Sequence, residues 1–267
     1  MLSRSAKVRV PATIGNFAGD PSCGALAIDA VMNVTATLRQ DGHLSLRYFG
    51  DRGERVPRDH SNLIVQAIGL AIEGRNRRFS GANLEIYSSI PVGVGLGAST
   101  AAVWAGLIAA DRLFELGLDE KSFFGLAERL EPRADNIRAA WMGGLGSVAS
   151  GPERAAFPDE VALRVVIPET GDKGVPGVDE SLSIKVAGAT VFLCGSGPAV
   201  GILESGPATE AVNLVQKCFA SKGLSSRYAI FHASNQGARD WNTAHAEIAF
   251  SRATLGDSPY KPTLIPV

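Results

Sequence analysis

At 267 residues the chain exceeds a typical single domain, so one large domain or two smaller lobes both fit, and a sizeable core is available either way. Apolar residues at 45% and charged residues at 20% place it among globular proteins rather than disordered or collagen-like ones. With 26 basic against 27 acidic residues, the net charge of -1 provides no long-range field toward a nucleic-acid backbone or an anionic membrane, and neither is expected as a partner.

The 3 cysteines, Cys23, Cys194 and Cys218, are far apart with no C-x-x-C pair, so neither a disulfide framework nor a zinc site is expected. Met1 to Pro11 carries basic residues but no uninterrupted apolar stretch or small-residue cleavage site. No segment approaches the ~20 apolar residues that span a bilayer. A reducing cytoplasm is the expected location.

In chain order, Lys7 to Val10 reads as the start of an extended run, with a loop of glycine and small residues expected from Pro11 to Gly24. Ala25 to Leu38 is long on β-branched and small apolar residues, and Leu44 to Phe49 alternates as a strand does after the Asp41-Gly42 turn. Ser61 to Ile72 sets Leu63, Ile64, Ala67, Ile68, Ala71 and Ile72 at helical spacing, with Asp59 or Ser61 available as cap. A strand is expected over Ala82 to Tyr87, then a glycine-rich turn from Pro91 leading into a helix from Ser99. Leu118 to Leu130 reads as a further helix, capped by Asp119 and stopped by Pro132. A lobe boundary is placed near Pro158. Beyond it come strands at Val161 to Ile167 and Ala189 to Leu193, a helix from Thr209 to Lys222, and a strand from Arg227 to His232, which together suggest a compact β-α-β lobe. The tail from Asn242 shows no clear period.

Most chemistry is concentrated in the stretch from Ile90 to Ala102. Gly93, Gly95 and Gly97 stand at alternate positions and remove side chains where a polyphosphate would approach the backbone. The helix that follows points unsatisfied amides and its positive dipole end at such an anion. A glycine-rich turn needed only for tight packing is the alternative reading. The stretch is neither a Walker A loop nor the G-x-G-x-x-G fingerprint.

This run resembles the phosphate loop of the GHMP kinase superfamily, P-x-x-x-G-L-G-S-S-A, with Ala98 in place of the first serine. Val10 to Phe17 is similar to V-P-A-T-S-A-N-L, the first motif of the homoserine kinases, and Leu193 to Pro198 to the third motif, S-G-S-G-P. Leu130 to Asn136 with Gly143 to Leu145 resembles E-G-H-P-D-N followed by G-G-L, and Asn235 to Arg239 resembles N-E-G-A-R. The blocks follow the family order and span most of the chain.

The resemblance implies an α+β two-lobe GHMP fold. Residues 1–158 would form the ATP-binding lobe and residues 159–267 a shortened, ferredoxin-like lobe, with the active site between them. It implies ATP and Mg²⁺ as cofactors and phosphorylation of a hydroxyl on a small amino acid or related acid. Homoserine kinases are the most similar group; a threonine kinase-like or mevalonate-type member, or a catalytically silent GHMP-fold binding protein, remain alternatives. A homodimer is left open.

By the same resemblance, Asn16 and Asn136 would lie at the acceptor, and Asp135 could take its proton. Asn62 would lie near the adenine. Pro91, Gly93, Gly95, Leu96, Gly97, Ala98, Ser99 and Thr100 would surround the phosphates, and Ser99 and Glu131 would hold the metal, with Glu128 a competing ligand. Each asparagine could instead be a turn or cap residue, and Glu131 a solvated carboxylate beside Arg129 and Arg133. The lysine that mevalonate kinase-like relatives pair with an aspartate is missing from Pro11 to Asn16, so positioning with little or no side-chain base fits better. Relatives also carry a long helical segment with substrate-binding arginines where this chain has only Glu169 to Thr190. Their L-G-P-G-F-D extension is altered here to Phe17 to Ser22, with Asp20 as a substitute aspartate. The 4 histidines, His43, His60, His232 and His245, read as structural, and Trp104 as core.

Overall fold

In the computed structural model, residues 4–147, 156–158, 161–169, 188–204 and 209–240 are described. The first strand, β1 (Ser5–Gly15), is longer than expected: it alternates buried and exposed residues up to Val10, then runs fully buried through Pro11 and beyond. Pro11 does not end it, because the pairing with β2 (Ala25–Leu38) shifts register between Pro11 and Ala12, and an irregularity is where a strand tolerates a residue without an N–H. The loop expected from Pro11 therefore begins only after Gly15.

β3 (Leu44–Gly50) and β4 (Ala82–Ser88) pair in parallel, which requires a crossover, and α1 (Leu63–Ile72) supplies it. With β10 (Arg239–Asp240) at one edge, the sheet order is β10-β1-β2-β4-β3, and the short β5 (Leu145–Gly146) is added to β2. Neither Asp59 nor Ser61 caps α1. Asn62 does: its Oδ1 accepts from the Ile64 amide at 3.0 Å and its Nδ2 donates to the Pro57 carbonyl at 2.8 Å.

α2 (Ala98–Phe114) is buried on most of its surface, and it meets α1 at Gly106, where a Cβ would lie 2.5 Å from the Ile64 carbonyl. Trp104 is a core residue as expected: fully buried, stacked on Trp141 at 4.5 Å, and donating from Nε1 to the Ile137 carbonyl at 3.0 Å. α3 (Glu120–Leu130) starts on Asp119, whose carboxylate accepts from the Ser122 amide at 2.8 Å. The sequence reading missed α4 (Ala134–Met142), which follows after a break of only a few residues.

The second sheet has the order β7-β8-β6-β9, all antiparallel, from β6 (Ala162–Pro168), β7 (Ala189–Leu193), β8 (Val200–Glu204) and β9 (Ser226–His232). α5 (Thr209–Ser221) covers it, burying Val212, Val215 and Phe219 with Val166, Val200 and Ile202. Strand β8, absent from the sequence reading, extends the expected β-α-β unit, and the strand order is that of a ferredoxin-like half. Most of the shortened segment between β6 and β7, together with His245 and the tail from Asn242, lies outside the described residues.

The chain then returns to the first sheet. β10 (Arg239–Asp240) pairs with β1, Ala233 bridges to Ile28, and Gly237 lies so close to Trp141 that a Cβ would fall 1.8 Å from its carbonyl oxygen. Here the N-Q-G-A-R block is a seam: the Ala238 amide donates to Ala140 at 2.7 Å, and the side chain of Asn235 exchanges hydrogen bonds with the backbone of Phe157. Phe17 adds edge-on ring contacts to Phe157 and Phe192, and one apolar core runs beneath both sheets.

Candidate active site

Between β4 and α2 the backbone turns through Gly93, Gly95 and Gly97, with φ of 73°, 87° and 72°, a region that L side chains avoid. The Val94 carbonyl accepts from the Ala199 amide at 3.1 Å and the Leu96 carbonyl from the Thr13 amide at 3.3 Å, which ties the loop to the second sheet and to β1. The amides from Gly95 to Ser99 donate to no protein group among the described residues. No side chain caps α2 and no acidic residue stands in its first turn, so these amides and the positive helix end are left to an anion.

They face a cleft of about 610 Å³. Its apolar part includes Met32, Val56, Leu63, Ile86 and Val92; its polar part includes Ser99, Glu131, Arg133 and Asn136. Of the expected phosphate-site residues, Gly93, Gly95, Leu96, Gly97, Ala98 and Ser99 line the cleft, while Pro91 is buried behind it and Thr100 is 1% exposed. Asn62 lines it too, but both ends of its side-chain amide serve the start of α1 and the Pro57 turn. Asn62→Ala is expected to lower folding stability by about 1–2 kcal/mol, read by urea denaturation; unchanged stability would show that the cap matters little.

Glu131 is not a solvated carboxylate. It is 6% exposed at the end of α3, and its Oε2 accepts from Ser99 Oγ and Thr100 Oγ1, each at 2.9 Å, while Oε1 accepts from the Arg133 amide at 3.2 Å. A carboxylate and hydroxyls at the mouth of an amide loop form an all-oxygen donor set. Such a set suits Mg²⁺, which is commonly held by one or two carboxylates together with nucleotide phosphates. No cluster of three or more His, Cys, Asp or Glu that could hold a metal by itself occurs among the described residues. Glu128 is exposed on α3 and lines no part of the cleft.

Asn16, in the left-handed region at φ 55°, donates from Nδ2 to the Gly195 carbonyl at 2.9 Å and accepts at Oδ1 from Arg133 Nη2 at 3.0 Å. Asp135 is held by the same guanidinium, with Nη2 to Oδ2 at 3.0 Å and Nε to Oδ1 at 3.4 Å. Neither Asn16 nor Asp135 lines the cleft; Arg133 does. Asn136 is 6% exposed and its Oδ1 has no hydrogen-bond partner among the described residues. Sequence reasoning had treated Arg133 only as a neighbour of Glu131. The signal for its place at the cleft is a permanent cation two residues from the expected catalytic aspartate.

Asp20 is exposed, and hydrogen bonds from the Ser22 hydroxyl and then from the Ser22 amide, the latter at 2.8 Å, hold its carboxylate below the usual range. His43 and His60 are exposed, His232 contacts Asp29, and none of the three enters the cleft. All three cysteines are free, and burial pushes the Cys194 thiol far above its ordinary value, so it stays protonated beside the loop.

Residues 62–144 match the family model of the GHMP kinases N terminal domain. Over that span the chain is similar to the N-terminal domain of the GHMP kinases. The matched span begins at the Asn62 cap and takes in the glycine loop, Glu131 and Asn136. The homoserine kinase of Persephonella marina is 31% identical over 168 residues, 61% of this chain and 55% of that protein. That of Caldanaerobacter subterraneus is 27% identical over 247 residues, 84% of this chain and 79% of that protein. The chain thus spans about half the length of the first of these relatives. The structure of a homoserine kinase from Cytophaga hutchinsonii superposes with a TM-score of 0.64 at 19% identity, covering 90% of this chain and 98% of that one. At that identity the likeness establishes the fold, which is the two-lobe α+β GHMP fold. Among the described residues no helix is long and apolar enough to cross a membrane.

Proposed function

We propose that the protein is an ATP-dependent kinase that phosphorylates a hydroxyl of a small amino acid or related acid, in the manner of its homoserine kinase relatives. A single observation supports this most strongly: the Gly95–Ser99 amides are unbonded at the start of a long helix, beside a hydroxyl–carboxylate cluster, in a cleft large enough for a nucleotide. Residues 1–158 supply most of the nucleotide side, and residues 159–267 close the cleft through Gly195 and Ser196.

In this reading the triphosphate lies on the loop amides and the adenine among Met32, Val56, Leu63 and Ile86. Ser99 and Glu131 would hold Mg²⁺. The ion would neutralise charge developing on the transferred phosphoryl group. Asn136, which lines the cleft, would stand at the substrate hydroxyl. Asp135, already paired with Arg133, orients neighbours rather than removing a proton. Transfer then rests on in-line positioning, which phosphoryl chemistry allows.

The test has two stages. Nucleotide at 100 times its Kd should stabilise the fold by about 2.7 kcal/mol, read as a raised melting temperature in the presence of Mg²⁺. ADP release is then followed over homoserine, threonine, mevalonate and pantoate. Stabilisation with turnover on one acceptor is the expected result; stabilisation without turnover on any identifies a binding protein instead, and no stabilisation rejects the nucleotide site.

A further inference from the structure

We propose that Arg133 is an oxyanion-binding residue of the cleft, and that the acceptor it selects carries a carboxylate. This rests on the kinase reading and deepens it by naming the residue that selects the acid. The guanidinium is fixed from behind: Nη2 donates to Asn16 Oδ1 and Asp135 Oδ2, and Nε to Asp135 Oδ1. Room for it exists because residue 15 is glycine, where a Cβ would fall 2.6 Å from Nη2. Nη1 makes no hydrogen bond among the described residues, and Arg133 lines the cleft with a third of its side chain exposed. The two N–H groups left on Nη1, carried by a permanent cation in a fixed plane, are charge-assisted donors for a carboxylate or phosphoryl oxygen.

The charge arrangement points the same way. A substrate ammonium would seek Asp135, but that carboxylate lies behind Arg133, is 15% exposed and is already ion-paired. An anionic group meets Arg133 first. The related motif, E-G-H-P-D-N, has a histidine at this position; arginine cannot give up its proton and so recognises charge rather than exchanging it. Beside it, the buried Oδ1 of Asn136, without a hydrogen-bond partner among the described residues, lies on the Nη2 side of the guanidinium, 3.1 Å from the same Gly15 Cβ position.

The experiment measures affinity for homoserine, threonine and pantoate, each beside its primary carboxamide, by thermal shift and calorimetry on the whole chain with ADP and Mg²⁺. At least one acid should bind about tenfold or more tightly than its amide, the range expected of a charge-assisted pair. Arg133→Met should erase that preference and Arg133→Lys restore part of it, with an unchanged nucleotide shift showing that each variant is folded. If the anion is instead the transferred phosphoryl group, Arg133→Met lowers kcat equally for acid and amide and leaves their affinities alone. That outcome keeps the oxyanion role and rejects the carboxylate. Wild-type protein that binds acids and amides equally, with kcat intact in Arg133→Met, overturns both parts. Because binding is read without turnover, the result stands even where no acceptor is phosphorylated, so failure of the kinase reading is separately visible.

Discussion

Glu131→Gln should lower kcat about 100- to 1,000-fold at saturating ATP and Mg²⁺, the scale seen when one preorganised stabiliser of transition-state charge is removed. The substitution is nearly isosteric, and a glutamine oxygen can still accept from Ser99 and Thr100, which now donate at 2.9 Å. What disappears is the negative charge at the one buried carboxylate of the cleft among the described residues. Binding of nucleotide without metal should be unchanged or slightly tighter, since a carboxylate near the phosphates repels them until a cation intervenes. Mg²⁺ should lose most of its ability to strengthen ATP binding. Calorimetry with and without Mg²⁺ separates these effects. If Glu131 were only a brace for the start of α2, the variant would lose thermal stability while kcat and the Mg²⁺ dependence held, and the metal role would be withdrawn.

The glycine loop was legible from sequence because few backbones demand glycine at alternate positions ahead of a helix, and the structure gives each of them a positive φ. What the sequence could not show is which glycine serves the ligand and which serves packing, since that depends on what stands opposite. Strand β1 was cut short for a related reason: Pro11 lacks a donor and normally ends pairing, yet the register shift beside it absorbs the defect. Helix α4 escaped notice because it is short and starts on Arg133, which makes no capping hydrogen bond; its inward face is recognised only once Trp141 stacks on Trp104. Strand β8 is five residues long and stands directly after a glycine-rich turn, too brief for its period to show. At the site, Glu131 and Ser99 stand within hydrogen-bond distance of each other, whereas the order of Arg133 and Asp135, cation toward the cleft and carboxylate off it, follows from side-chain packing alone.

The contrast among the glycines gives the second large effect. Gly97→Val would first seem to fill the space of the phosphates, but a Cβ there falls 2.2 Å from Thr13 Oγ1 and 2.8 Å from the Thr13 amide, on the side of β1. At Gly95 it falls 1.9 Å from the Cys194 carbonyl, against the turn of the second sheet. Both positions join the loop to its supports, so the damage is to folding before it is to binding. Gly95→Ala is expected to cost about 3 kcal/mol or more, combining left-handed backbone strain with overpacking against main-chain atoms that cannot step aside. Gly93→Ala has only the Arg55 guanidinium near, at 3.6 Å, and should cost about 1–2 kcal/mol from the backbone alone. Denaturant titration ranks the two, and nucleotide binding is measured where each variant remains folded. Equal destabilisation of the pair would mean that the loop is not clamped between β1 and the Cys194 turn, and with that clamp gone nothing would hold the Gly95–Ser99 amides open toward the cleft.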